Sequence, residues 1–197
     1  PNVPLFDRFV KPATSPSENV HNDPEFATFT YGDNVRMNGK GGLRQLQEGD
    51  FLFFLAHLVP YADRYYKKNA QFALVGYIEI AESLDNSDDP MFTSPAFNRN
   101  AHVRRWVNLP ASFADYAVFK GSTDSRRFHT AVPFDREFVE HVPILKRDGA
   151  AWECGRSTEL GVIGSYTRAV RMHIDPKTDG ARAKRFWERI WKLQRWC

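Results

Sequence analysis

The hydrophobic residues of the chain fall into short runs, and these runs predict most of its strands. The run FLFFLAHL, residues 51–58, is almost continuously apolar and short, which predicts a strand buried on both faces. Residues 71–82 (QFALVGYIEIAE) predict a second strand, in which Gly76 indicates a bulge or a close backbone approach. Weaker strand patterns cover residues 102–109, 116–120 and 169–174. Several strands with few helices predict an α+β domain built on a curved sheet or small barrel.

A short helix is predicted just before the first strong strand. Residues 40–48 (KGGLRQLQE) have the spacing that turns Leu43 and Leu46 inward, and the Gly-Asp pair at 49–50 then breaks the helix. The first 25 residues contain five prolines among polar residues. We therefore expect segment 1–25 to be extended, because proline favours loop and extended backbone.

A final amphipathic helix is predicted over residues 178–196, with Thr178 or Asp179 as its cap. Its apolar side carries Phe186, Trp187, Ile190, Trp191 and Leu193. Its basic side carries Arg182, Arg185, Arg189 and Lys192. The basic side suits nucleic-acid phosphates, and the alternative is an ordinary solvated face. The Trp-bearing side is a candidate surface for docking a protein partner.

Composition favours one intracellular domain, residues 1–197. With 42% hydrophobic and 26% charged residues, an extended disordered chain is excluded and a packed core is expected. The two cysteines, Cys154 and Cys197, form neither a disulfide framework nor a zinc knuckle, which favours a reducing, cytoplasmic compartment. No apolar run approaches the roughly 20 residues that span a bilayer, so no membrane association is expected.

Aromatic content and charge bear on the partner without deciding it. Phe, Tyr and Trp make up 14% of the chain, and such rings either fill a core or stack on bases. The net charge of +3 permits nucleic-acid binding but does not require it, so local clusters of charge must carry the argument.

Two polar motifs lie in the N-terminal quarter. In HNDP, His21 and Asp23 suit an acid–base pair or metal ligands, and the alternative is an Asx turn before the proline. In FTYGD, the ring of Tyr31 suits stacking on a base, and the carboxylate of Asp33 suits accepting a hydrogen bond from the amino edge of that base. The alternative there is a strand-end turn at the glycine between them.

Two later motifs combine arginine with aromatic or hydroxyl side chains. Arg104 and Trp106 share a face of their predicted strand and suit phosphate contact and base stacking. A barrel-lining Trp between surface arginines is the alternative. In residues 121–127 (GSTDSRR), Ser125 together with Arg126 or Arg127 suits a phosphate, and a capped, solvated loop is the alternative.

Signatures of several enzyme classes are missing. The glycines near residue 40 lack the Lys-Ser/Thr of a phosphate-binding loop, and GVIGS has the wrong order for a nucleophile elbow. The six histidines lack the short spacings of a zinc site. The sequence thus predicts neither a cofactor nor a metal, and an enzyme is the less favoured class.

The order of the motifs resembles two known groups. A short helix, a Gly-Asp pair, a buried strand and then VGYIEI follow one another as in PUA-like domains, notably the EVE and ASCH groups. Those domains are small β-barrels that bind RNA or modified DNA bases, often by flipping a base into an aromatic pocket. The segments PNVPLF, HNDPEF…FTYGD, GDFLFFLAHL, VGYIEI and VFKGSTDSRRF…AVP resemble the nucleotide modification associated domain 3 family over about residues 1–135.

The family resemblance implies a link to DNA base modification. It carries over four polar positions, His21, Asp23, Tyr31 and Asp33. Together with the motifs, it predicts a PUA-like α+β domain that recognises a modified or flipped base in DNA and needs no cofactor. The alternative is an enzyme acting on DNA bases or nucleotides, either a modification transferase or a metal-dependent hydrolase, that uses His21, Asp23 and Asp33.

The predicted site falls into two sets of residues. The base-binding set is Tyr31, Asp33, His57, Tyr77 and Trp106. The phosphate-binding set is Arg104, Ser125, Arg126, Arg168, Arg171, Arg182, Arg185 and Arg189.

Overall fold

A computed structural model describes the parts of the chain that carry most of these motifs. The described residues are 24–34, 40–58, 71–84, 94–108, 116–135, 137–138, 174 and 177–194. Their strands are β1 (Thr30–Asn34), β2 (Phe51–Leu58), β3 (Gln71–Leu84), β4 (Tyr116–Gly121) and β5 (Arg126–Pro133). Their helices are a 3₁₀ helix (Lys40–Gln45), α1 (Ala101–Asn108) and α2 (Gly180–Gln194). None of the helices in these ranges is long and apolar enough to cross a membrane.

The five strands form one sheet, which confirms the α+β class. The strand order is β1-β4-β3-β2, and β5 also pairs with β3. Strands β1 and β4 are antiparallel, with Tyr31 opposite Phe119. Strands β3 and β4 are also antiparallel, with an irregularity between Ile80 and Glu82. The prediction for β2 has the observed bounds, and the prediction for β3 ends two residues early.

The chain divides into two compact units, each discontinuous in sequence. The motif unit comprises residues 11–54 and 76–127. The C-terminal unit comprises residues 1–10, 55–75 and 128–197. A single domain over residues 1–197 and a PUA-like barrel stay predictions.

One core cluster of the motif unit forms where the 3₁₀ helix meets the sheet. Ile80 and Phe119 are buried together, and Leu43 and Leu46 pack against them. The inward orientation of both leucines is thereby confirmed. Gly49 has φ +85°, a left-handed conformation that favours glycine, and lies in the turn before β2. The predicted helix over residues 40–48 is shorter in the structure, because it is a 3₁₀ helix that ends at Gln45.

Strand β2 is not buried on both faces, so that prediction was wrong. Phe54 is buried, whereas Phe51 is 40% exposed. Successive side chains of a strand point to opposite faces, which places Phe51 and Phe53 on one face and Phe54 on the other. Although the run is almost continuously apolar, the face of β2 that carries Phe51 is partly open to solvent.

Residues 101–108 form helix α1, so the predicted strand over 102–109 was wrong. The side chain of Asn100 caps the helix, because its Oδ1 accepts hydrogen bonds from the backbone N–H groups of His102 (3.0 Å) and Val103 (3.2 Å). Val103 is buried in a cluster with Phe97, Tyr116 and others. The alternation of a strand, on which the predicted pairing of Arg104 with Trp106 depended, is therefore absent from this segment.

Gly32 lies inside β1 and not at a turn, which corrects both interpretations of FTYGD. A Cβ atom on Gly32 would lie 2.9 Å from the Cβ of His102 and 3.2 Å from Oδ1 of Asn100. The glycine is therefore required by the close packing of α1 against β1. Tyr31 and Asp33 consequently lie on one face of a regular strand.

In the C-terminal unit, the predicted cap of helix α2 at Asp179 is confirmed. The Oδ1 atom of Asp179 accepts from the backbone N–H of Arg182 at 3.2 Å. Phe186 is buried and meets the ring of Phe138 edge-on, with centroids 5.6 Å apart. The predicted apolar side is only partly right, because Trp191 is 36% exposed.

Candidate functional site

An aromatic cluster lies in the motif unit where β2 adjoins β3. The ring of Tyr77 is 5.6 Å from that of Phe51 and 5.4 Å from that of Phe53, between centroids. Phe51 and Phe53 are themselves 6.4 Å apart and 26° from parallel. Tyr77 is only 5% exposed, in contrast to Phe51. This Phe51 cluster (Phe51, Phe53 and Tyr77) thus presents one solvent-facing ring supported by two rings beneath it.

Three charged side chains act on the Tyr77 hydroxyl. Burial raises the pKa of Tyr77 above its usual value near 10, and the Asp124 and Glu79 carboxylates raise it further. The guanidinium of Arg126 acts in the opposite direction. Tyr77 is therefore a protonated phenol at neutral pH, and acidic and basic groups both lie near the Phe51 cluster.

The loop between β4 and β5 is held against β3 by hydrogen bonds to one residue, Glu79. The hydroxyl of Ser122 donates to Oε2 of Glu79 at 2.7 Å, and the Ser122 N–H donates to the Glu79 carbonyl at 2.8 Å. The backbone N–H of Glu79 donates to Oγ of Ser125 at 3.2 Å. Ser125 is fully buried, so its hydroxyl serves the loop and does not face solvent.

Arg126 begins β5, and its guanidinium is the predicted phosphate-binding group that acts on the Tyr77 hydroxyl of the Phe51 cluster. Its Nη1 donates to the carbonyl oxygens of Thr123 (3.0 Å) and Ser125 (3.3 Å). Its Nη2 is 3.9 Å from Oδ1 of Asp124, a loose surface ion pair. Half of the side chain, 52%, is exposed, so the guanidinium is held by the loop while still facing solvent.

Gly76 makes this arrangement sterically allowed. A Cβ atom at position 76 would lie 2.5 Å from the backbone oxygen of Arg126 and 2.7 Å from the ring of Phe26. Only a residue without a Cβ lets the start of β5 lie so close to β3. The close backbone approach predicted at Gly76 is confirmed, and it brings Arg126 to the strand that carries Tyr77.

Tyr31 and Asp33 form a second polar group in the motif unit. The Tyr31 hydroxyl donates to Oδ2 of Asp33 at 2.9 Å, and both side chains are half-buried. The Tyr31 ring meets Phe54 edge-on, with centroids 5.1 Å apart. Because Phe54 and Phe51 lie on opposite faces of β2, Tyr31 and the Phe51 cluster do not share one surface.

The arginines of α2 do not form one solvated stripe. Arg182 is buried and forms an ion pair with Asp179, which lies just before the helix. Arg189 donates from Nη2 to Oε1 of Glu137 at 2.7 Å. Arg185 is exposed. The predicted separation of an apolar side from a basic side was wrong for Arg182, because it shares the buried side with Phe186.

The other predicted positions are only partly described. Arg104 is exposed on α1. The backbones of His57 on β2 and Trp106 on α1 are described, but their side chains lie outside the described residues. His21, Asp23, Arg168 and Arg171 lie wholly outside them. Within the described ranges, no group of three or more His, Cys, Asp or Glu side chains is placed to hold a metal ion.

Sequence reasoning missed Phe51, Phe53 and Glu79. Strict alternation along FLFFLAHL would have placed the two phenylalanines on one face of β2. A carboxylate in the otherwise apolar run VGYIEI was a second signal, since acidic residues inside a buried strand usually have a specific partner.

Fold and site together define a small α+β protein with an aromatic and basic surface in its motif unit. The family model described as nucleotide modification associated domain 3 matches residues 4–133, about two thirds of the chain. The chain therefore belongs to this family, as its motifs predict, and the match covers all of the residues in the Phe51 cluster. No curated protein and no solved structure matches the chain significantly. The family description links the chain to nucleotide modification.

Proposed function

We propose that this chain is the nucleic-acid-binding domain of a DNA-modification system and that it recognises a modified or flipped base. One observation carries the proposal: the exposed ring of Phe51 packs against Phe53 and Tyr77, and the Arg126 guanidinium acts on the Tyr77 hydroxyl. An aromatic platform next to a cation is the combination that binds a base together with its phosphate. In this proposal Tyr77 supports the platform from below and Phe51 makes the contact.

The platform favours an unpaired base over a base inside a duplex. A base within a duplex is stacked on both faces, so it reaches a protein ring only after it is extruded or when the strand is single. Stacking on an aromatic side chain contributes about 1–3 kcal/mol per base. Because Phe51 already rests on two rings, it contributes its surface without first being ordered.

Arg126 supplies the backbone contact. Its guanidinium is oriented by the carbonyl oxygens of Thr123 and Ser125, which leaves its exposed edge for a phosphate oxygen. Hydrogen bonds between guanidinium and phosphate are charge-assisted and position the strand without reading its sequence. Asp124 does not cancel this charge, because an exposed pair at 3.9 Å is weak.

Fluorescence anisotropy with short DNA tests the proposal. Single-stranded and duplex oligonucleotides, each with and without one modified base, are titrated with the wild type, Phe51→Ala and Trp191→Ala. We expect Phe51→Ala to weaken binding about tenfold, which matches the loss of one stacked base. Trp191 is a matched control because it is nearly as exposed and belongs to the other unit. Equal losses from both substitutions, or no DNA binding by the wild type, would contradict the proposal.

The Tyr31–Asp33 hydrogen bond favours a second candidate function, an enzyme acting on DNA bases or nucleotides. A phenol that donates to a half-buried carboxylate is a pair able to hold and transfer a proton. The test incubates the protein with DNA and with free nucleotides, with and without divalent metal ions, and analyses the bases by mass spectrometry. This candidate requires a product that Asp33→Asn abolishes while the variant keeps its thermal stability. If the wild type makes no product, the candidate is rejected.

A further inference from the structure

We propose that Glu79 makes the surface of the Phe51 cluster selective for a base that carries an exocyclic amino group, and against thymine. This inference rests on the proposed function, since it concerns the base that stacks on Phe51. It assigns a specificity-determining role to a residue that neither the motifs nor the family match singles out.

The first argument is position. Glu79 follows Tyr77 by two residues on β3, so alternation places both side chains on the same face of the strand. Two residues of a strand span about 7 Å, which is close to the width of a base. The negative charge of Glu79 also raises the pKa of the Tyr77 hydroxyl, so the two groups are close enough to interact electrostatically. An edge of a base stacked on Phe51 therefore comes within reach of this carboxylate.

The second argument is that Glu79 is oriented but not saturated. Its backbone N–H and carbonyl are both bonded to the loop, through Ser125 and Ser122. Its Oε2 accepts one hydrogen bond, from the Ser122 hydroxyl. An ionised carboxylate has about four acceptor positions on its two oxygens. The half-buried side chain is thus fixed in direction and still has capacity for a further donor.

The third argument is chemical complementarity. An ionised carboxylate only accepts hydrogen bonds, so it requires an N–H donor from the ligand. Cytosine and adenine present exocyclic amino groups, N4 and N6, whereas thymine presents the O4 acceptor at the equivalent place. A carboxylate that faces thymine O4 brings together two hydrogen-bond acceptors, which cannot bond to each other. The geometry therefore favours amino-bearing bases, including modified ones that retain an N–H.

The experiment measures binding of short single-stranded oligonucleotides that differ at one central position. The position is deoxycytidine, thymidine or N4,N4-dimethyldeoxycytidine, which keeps the cytosine ring but has no amino N–H. We expect the wild type to bind the deoxycytidine probe about tenfold more tightly than the thymidine probe, as one specific base contact provides. The dimethylated probe should bind like thymidine.

Two variants assign the preference to Glu79. Glu79→Gln keeps the shape and the acceptor for Ser122 but adds a donor, so the preference should fall to about twofold or less. Asp124→Asn changes a nearby exposed carboxylate that also acts on Tyr77, and it should keep the preference. A preference that survives in Glu79→Gln would overturn the inference.

The outcomes separate this inference from the proposed function. If no probe binds, the proposed function fails. If all three probes bind wild type equally, DNA binding stands and the role of Glu79 is overturned. The dimethylated probe is measured with the wild-type protein and does not depend on a variant. If that probe binds as tightly as the deoxycytidine probe, the inference is overturned even when Glu79→Gln does not fold.

Discussion

At the scale of single residues, the absence of a side chain at Gly76 shapes the candidate site. Gly76→Ala would place a methyl group 2.5 Å from the backbone oxygen of Arg126, and a backbone atom in a sheet does not move easily. Overpacking of this kind costs about 1–3 kcal/mol. We expect urea unfolding to show a loss of stability of this size.

Gly180→Ala is the control for this substitution. A Cβ at Gly180, the first residue of α2, meets nothing within 4 Å. Alanine is more favourable than glycine in helices by roughly 0.5–1 kcal/mol, so this variant should be at least as stable as the wild type. If both variants have the same urea midpoint of unfolding as the wild type, the backbone of Arg126 does not pack against Gly76 as closely as the structure indicates.

The buried hydroxyl of Tyr77 makes the stability of the protein sensitive to pH in the alkaline range. Burial raises the pKa of its hydroxyl, so the folded state keeps the proton at pH values where the unfolded chain has lost it. The free energy of unfolding therefore falls as pH rises above about 10, with a slope of up to about 1.4 kcal/mol per unit from this group.

Tyr77→Phe removes this contribution while keeping the ring that packs on Phe51 and Phe53. Urea titrations at several pH values should show a shallower loss of stability above about pH 10 than in the wild type. At pH 7 both proteins hold a neutral side chain at this position, which gives the reference point. Parallel curves for the two proteins would mean that Tyr77 ionises equally in folded and unfolded chains.

At the scale of elements, caps determine where the helices begin. Asp179 accepts from the backbone of Arg182 and also pairs with its buried guanidinium. Asp179→Ala removes a cap worth about 1 kcal/mol and also removes the carboxylate that pairs with the buried guanidinium of Arg182. We therefore expect the free energy of unfolding to fall by about 1–3 kcal/mol in total.

Circular dichroism during urea unfolding measures this loss. Glu188→Ala is the matched control, because it removes one negative charge from an exposed position of the same helix. Surface changes of this kind usually stay within about 0.5 kcal/mol. Similar effects from the two substitutions would argue against a special role for Asp179.

The elements differ in how well the sequence predicts them. Strand β2 was predicted with its observed bounds because an apolar run of this length fits a strand and is too short for a typical helix. Helix α1 was predicted as a strand because HVRRWVNL alternates polar and apolar residues in part. The deciding signal was Asn100, a residue that favours the position just before a helix and whose Oδ1 serves two backbone N–H groups.

At the scale of the whole molecule, a net charge of +3 is too small to govern nucleic-acid binding, so local charge should set the salt dependence. If Arg126 contacts one phosphate, Arg126→Gln reduces the slope of log affinity against log salt by about 1. Anisotropy titrations at several salt concentrations measure this slope.

Lys184→Gln makes the same change in net charge at an exposed position of α2. We expect it to leave the salt slope at the wild-type value. A slope reduced equally by Lys184→Gln and Arg126→Gln would show that total charge, and not the position of Arg126, governs binding.

The sequence by itself determined the α+β class, the strands β2 and β3, the cap of α2 and the family of the chain. Each of these depends on neighbours in sequence, through the period of a strand, the chemistry of a cap or the order of short motifs. Local patterns also placed Leu43 and Leu46 inward correctly.

Only the tertiary structure decided which predicted residues meet and which stay exposed. The Ser122–Glu79 bond joins residues 43 apart, and the Arg189–Glu137 bond joins residues 52 apart. Periodicity states which side chains of one element share a face, but it does not state which face another element covers. That is the physical reason why Phe51 remains exposed and Arg182 is buried, although the pattern of the chain predicts the reverse.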